Sequence, residues 1–243
     1  MSEPDQIVTA PEDVRPVRWG MGDAGLGWLA AQTCGAITLA LVAVLSGVDE
    51  TDDLSLGWLA LGQLGLWLGF IGATWAAAQF KGNGVVRDFG VRGRPWDSIV
   101  GLGVGVATQI LVLPLLYLPI YVLFDKNSED VEQVARDLTD RATDPVGVVL
   151  LVLIVGICAP IAEELFYRGL VFRSIENRYG TWPGIVGSGL LFGASHFQLL
   201  QLPGLAVFGM ILAYLTSRTG RLVPAIFAHV AFNMVTVIYL VLD

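Results

Sequence analysis

The stretch Cys158-Ala-Pro-Ile-Ala-Glu-Glu-Leu-Phe-Tyr-Arg-Gly-Leu-Val-Phe172 decides how this chain is read. It sets two adjacent carboxylates and an arginine inside a run of apolar residues. On insertion scales a charge at the centre of a bilayer costs roughly 2.5–3.5 kcal/mol, so such groups face protein or a water-filled cavity. Glu163, Glu164 and Arg168 therefore mark a functional site. The rest of the chain is read as the packing that shields it and the polar residues that meet it.

The surroundings are apolar throughout. Of 243 residues, 54% are hydrophobic and 15% charged, where a soluble domain carries about a quarter charged. Uncharged runs occupy 24–48, 54–80, 99–124, 145–162, 181–203 and 222–242. Each is able to cross a hydrocarbon core of roughly 30 Å, which takes about 20 helical residues. The expectation is an all-α polytopic transmembrane bundle of about seven spans. A polar tail, 1–23, precedes a single transmembrane domain, 24–243. A helical hairpin (24–48 and 54–80), whose glycines suit close packing in lipid, leads to a third span at 99–124 bent by Pro114 and Pro119. Asn127 or Ser128 caps a short surface helix ending near Leu138. Further spans start at Pro145, at 181–200, at 200–217 and at 222–242. Both cysteines, Cys34 and Cys158, fall inside spans and read as small packing residues. The first residues lack a short apolar core, so no cleaved signal peptide is expected. The net charge of −8 lies in the loops and points to no nucleic-acid partner.

Orientation follows from the excess of Lys and Arg on cytoplasmic segments. With the N-terminus inside, Arg15 and Arg18, the four cations of the 81–98 loop, Arg168, Arg173, Arg178, Arg218 and Arg221 all fall on the inner side. The outer segments hold only Lys126, Arg136 and Arg141. The expected topology is N-terminus in and C-terminus out, as an integral protein of the cell membrane.

The chain has two histidines, both within expected spans. His229 precedes Asn233 by four residues, and Glu164 precedes Arg168 by four; this spacing puts each pair on one helix face. Glu163 is offset by about 100° from Glu164 and is free to hold a water. At 1.5 Å per residue, Glu163 lies roughly 15 Å, His229 about 12 Å and His196 about 22 Å from the inner edge. The groups can meet in the cytoplasmic half of the membrane. A carboxylate beside a water, with imidazoles and a side-chain amide nearby, meets the needs of amide hydrolysis: a base for the water and fixed donors for the oxyanion.

In this order on successive helices, Glu163-Glu164-x-x-x-Arg168, Phe192-x-x-x-His196 and His229-x-x-x-Asn233 resemble the three motifs of the CAAX-box protease and bacteriocin-processing (CPBP, Abi) family of intramembrane endopeptidases. The resemblance covers a core at about 145–242. It implies that Glu163 with His196 activates water, that His229 and Asn233 form the oxyanion hole, and that Glu164 with Arg168 supports the geometry. It further implies a membrane-associated protein or peptide, CAAX-type or other, as substrate. The family has been described both as zinc metalloproteases and as metal-free glutamic proteases. Without a His-Glu-x-x-His motif, a metal-free mechanism is favoured, and zinc on Glu163, His196 and His229 is the alternative. Competing readings are a structural ion-pair cluster, a non-catalytic immunity or chaperone-like membrane factor, and an ion- or proton-coupled transporter using the same residues as a relay.

Overall fold

In hydrocarbon every backbone N–H and C=O must find its partner within the protein, which leaves helices to a chain with runs of this length. The computed structural model describes residues 15–48, 53–124 and 127–242, and it contains no strand among them. Six helices are long and apolar enough to cross a membrane: α1 (Met21–Ser46), α2 (Leu56–Lys81), α4 (Pro95–Leu123), α6 (Pro145–Tyr179), α8 (Leu202–Thr219) and α9 (Val223–Leu242). Two short helices, α3 (Val85–Phe89) and α5 (Ser128–Thr139), lie between them. The expected cap of α5 is present, with Asn127 Oδ1 accepting from the Asp130 amide at 3.0 Å.

One expected span is shortened. In place of a helix over 181–200, α7 runs only Thr181–Ala194, about 21 Å at 1.5 Å per residue. The terminal carbonyl of Phe192 is taken by side chains: Ser195 Oγ and His196 Nδ1 both donate to it at 2.8 Å. Such local bonds compete with helix continuation. Phe197 then adopts φ +56°, a conformation uncommon for a bulky residue. The chain climbs without helix to Leu202, where α8 begins with Pro203 in its first turn.

The helices end on two faces, each tied by hydrogen bonds. On one, the Arg18 amide donates to Lys81 O (2.7 Å), the Leu222 amide to Gly90 O (3.1 Å), and Arg221 grips Asp97 at 2.6 and 2.7 Å. Residues 15–20, read from sequence as part of the tail, lie on this face, with Trp19 buried and its indole donating to Asp88. On the opposite face Arg141 donates to Leu54 O (2.7 Å), Gln201 to Val131 O (2.8 Å) and Tyr117 to Leu200 O (2.9 Å). This bundle is a polytopic integral membrane protein, its outward helix surfaces carrying exposed Leu, Ile and Val.

Glycine sets how closely the helices approach. A Cβ on Gly105 would stand 2.1 Å from Ala228 O, and one on Gly101 2.4 Å from Pro224 O, so α4 lies directly against the backbone of α9. In the first hairpin Gly65 and Gly69 meet α1 in the same way, whereas Gly25, Gly57 and Gly72 meet nothing. Helix α6 is irregular: π-helical turns at Val152–Cys158 and Leu165–Val171 bracket the α-helical Ala159–Glu164. Single π turns inside helices are frequent at functional sites.

Candidate active site

The irregularity of α6 has a sequence cause and a consequence for the site. Pro160 carries no amide hydrogen, and the Ala159 amide donates to Ile154 O. Neither of the amides four and five residues on therefore serves Val155 O. Asn233 Nδ2 fills the vacancy at 2.8 Å, which fixes the asparagine of α9 against α6. An amide nitrogen has two hydrogens; the second is available to the cavity that Asn233 also lines.

That cavity has a volume of about 490 Å³ and is lined by Glu163, His196, His229 and Asn233 together. Four of the six residues singled out in the sequence thus share one chamber. The remaining two stand behind it. Glu164 and Arg168 are wholly buried and paired at 2.9 Å, and Arg168 also donates to Gly209 O at 3.1 Å and stacks 4.4 Å above the Phe192 ring. An ion pair removed from water repays its desolvation only when its geometry and remaining hydrogen bonds are good, and here a backbone carbonyl and an aromatic face supply the extra contacts.

Each imidazole is oriented by what its Nδ1 touches. His196 Nδ1 lies 2.8 Å from Phe192 O; a carbonyl only accepts, so Nδ1 carries the proton and a neutral ring presents a lone pair at Nε2. His229 Nδ1 lies 2.8 Å from Glu164 Oε1, and its Nε2 lies 3.8 Å from Glu163 Oε2. Glu164 thus holds the ring whose other nitrogen faces Glu163. Phe192 and Phe208 pack edge-on against His229 at 5.6 and 5.2 Å, and Phe192 edge-on against His196 at 4.8 Å. These aromatic walls leave the two rings little freedom.

Tyr167 was missed in the sequence. It lines the same cavity and donates to Ser195 Oγ at 2.7 Å, which ties α6 to the turn carrying His196. The signal existed: Tyr167 follows Glu163 by four residues, the spacing that paired Glu164 with Arg168. Also unread were Gln32, Gln63, Gln109, Gln198 and Gln201, side-chain amides that give the apolar cavity wall most of its remaining hydrogen-bonding groups.

The three residues that would ligate zinc do not converge on one point. Among the described residues, no group of three His, Cys, Asp or Glu side chains is spaced to hold a metal ion. This donor set does not fit a catalytic zinc site with three protein ligands.

Residues 145–235 match the family described as type II CAAX prenyl endopeptidase Rce1-like. Over that segment the chain is similar to the CAAX-protease family. All three sequence motifs fall inside the matched CAAX-protease segment. Among curated relatives, the putative membrane peptidase YdiL of Bacillus subtilis (strain 168) is 31% identical over 92 residues, 38% of each chain. An uncharacterized 24.3 kDa protein of Escherichia coli is 29% identical over 155 residues, 60% of this chain and 62% of that one. The chain thus spans less than two thirds of the length of either relative. No solved structure matches it.

Proposed function

We propose that this protein is an intramembrane endopeptidase that hydrolyses a peptide bond of a membrane-associated protein or peptide, using a water activated by Glu163. The observation that carries the reading is the shared chamber: one carboxylate, two oriented imidazoles and one amide lining a cavity inside a membrane bundle. Glu163 takes the proton of the attacking water as general base, with the unprotonated Nε2 of His196 as the second acceptor facing the cavity. The free N–H of Asn233 stabilises the oxyanion. His229, whose Nε2 lies 3.8 Å from Glu163 Oε2, shares the proton removed from water and donates it toward the oxyanion. When the tetrahedral intermediate collapses and the C–N bond breaks, Glu163 returns that proton to the leaving amine nitrogen. Glu164 and Arg168 are positioning residues that act through His229 and Phe192. No step requires a metal.

The membrane peptidase name of one relative and the endopeptidase description of the family support the same chemistry. A relay or transporter reading is less well supported, because the charged groups form one cluster at a single level of α6 and α9 instead of a path across them. The test is proteomics of membrane fragments from cells carrying the wild-type protein or Glu163→Ala. Fragments that vanish in the variant, with the protein still inserted, are the expected result. Identical fragment sets would remove Glu163 from the chemistry.

A further inference from the structure

The lining of the chamber reaches one end of the bundle and not the other, and the end it reaches is the wrong one for a cytoplasmic substrate. From Glu163 the cavity wall rises along α6 through Ala159, Val155 and Leu151 toward Pro145, and it finishes beneath the surface helix α5, where Val131, Glu132 and Ala135 form its rim. At the opposite end, residues 81–97, 173–180 and 216–223 contribute nothing to the lining. Phe89, Leu170, Phe172 and Leu222, all with no exposed surface, fill the space there. The sealed end is the face tied together by Lys81, Asp97, Arg173 and Arg221. It gathers Arg15, Arg18, Lys81, Arg87, Arg92, Arg94, Arg173, Arg178, Arg218 and Arg221, and an excess of Lys and Arg is the mark of the cytoplasmic side. The α5 face has only Arg136 and Arg141 among its described residues, against Glu129, Asp130, Glu132, Asp137, Asp140 and Asp144.

We propose that peptide reaches the reaction centre from the α5 face, the extracytoplasmic side, so that the substrates are extracytoplasmic or outer-leaflet segments of membrane-anchored proteins. A prenylated C-terminus presented in the cytoplasm would meet the packed, basic end. The depth read from sequence is compatible with this: at roughly 12–22 Å from the inner edge of a core of about 30 Å, the reacting groups are within reach of the outer side. The side-chain amides of the wall suit such a guest, since an extended peptide offers unpaired backbone N–H and C=O groups that glutamine satisfies in pairs. The proposal rests on the endopeptidase reading for its substrate class, but the direction of access stands on the cavity and the charge distribution alone.

Two measurements separate these. In a Cys34→Ala/Cys158→Ala background, single cysteines are placed at α5 (Glu129→Cys), in the basic loop (Arg92→Cys) and inside the cavity (Ser195→Cys), and intact cells are treated with a charged, membrane-impermeant thiosulfonate. Labelling of Glu129→Cys and Ser195→Cys in closed cells, with Arg92→Cys labelled only after permeabilisation, is the expected pattern. Any other pattern overturns the direction of access. Proteomics of new chain termini in wild-type and Glu163→Gln cells then tests the substrate class. Termini lost in the variant are expected to map to extracytoplasmic segments. Termini mapping to cytoplasmic segments would overturn the proposal and spare the endopeptidase. No lost termini would overturn the endopeptidase and leave access to the labelling result.

Discussion

Glu163 and Glu164 are chain neighbours with opposite surroundings. Glu163 faces a cavity and has 15% of its side chain exposed; Glu164 has none and is enclosed by Arg168 and His229. One residue step turns a side chain by about 100° around a helix, enough here to pass from a cavity wall to close packing. The same carboxyl group is suited to chemistry in the first place and to architecture in the second. A buried charge without water cannot take up and release protons against solvent, whereas one beside a cavity can.

This contrast is broken or sharpened by single substitutions. Glu163→Gln should lower turnover by about 10²–10⁴, the usual contribution of a positioned general base, with an unchanged thermal unfolding midpoint in detergent. A stability loss comparable to that of a core variant would place Glu163 with the structural set. Glu164→Gln should act chiefly on stability, with a smaller fall in turnover through the loosened His229 ring. By leaving Arg168 as an uncompensated buried charge it should destabilise the bundle by about 3–5 kcal/mol, read as a lowered unfolding midpoint. An unaltered midpoint would show that the Arg168 pair is dispensable. Asn233→Ala removes one oxyanion donor and should lower turnover by about 10²–10³. It also frees Val155 O, so a modest fall in midpoint accompanies it. The smallest effect is expected for Tyr167→Phe, where loss of the bond to Ser195 costs about 0.5–1.5 kcal/mol. The His196 turn loosens, and turnover falls less than in Asn233→Ala.

Much of this was legible in the sequence because membranes restrict the choices. The spans follow from run length, the shared faces of His229 with Asn233 and of Glu164 with Arg168 from four-residue spacing, and the surface helix from Asn127 and Asp130. The shortening of α7 was not legible. Its run of apolar residues continues through Leu200, and only the side chains of Ser195 and His196, turned back onto Phe192 O, stop the helix. The π turns of α6 were equally hidden: Pro160 signals a missing amide, but which carbonyl it orphans depends on the register of the turn around it. Tyr167 was overlooked because its neighbours carried charge and it did not. The direction in which the chamber opens was out of reach of any spacing argument, since it depends on where α5 folds back and on how completely Phe89 and Leu222 fill the other end.

The claim beneath all of this is that Glu163 and Asn233, on different helices, act on the same reacting atoms. A double-mutant cycle on turnover of a fragment identified by proteomics tests it most directly, comparing Glu163→Gln, Asn233→Ala and the pair. Groups that serve one transition state as a unit are strongly non-additive, so the double variant should be about as slow as the slower single one. Losses that multiply independently would contradict a shared chamber of reaction.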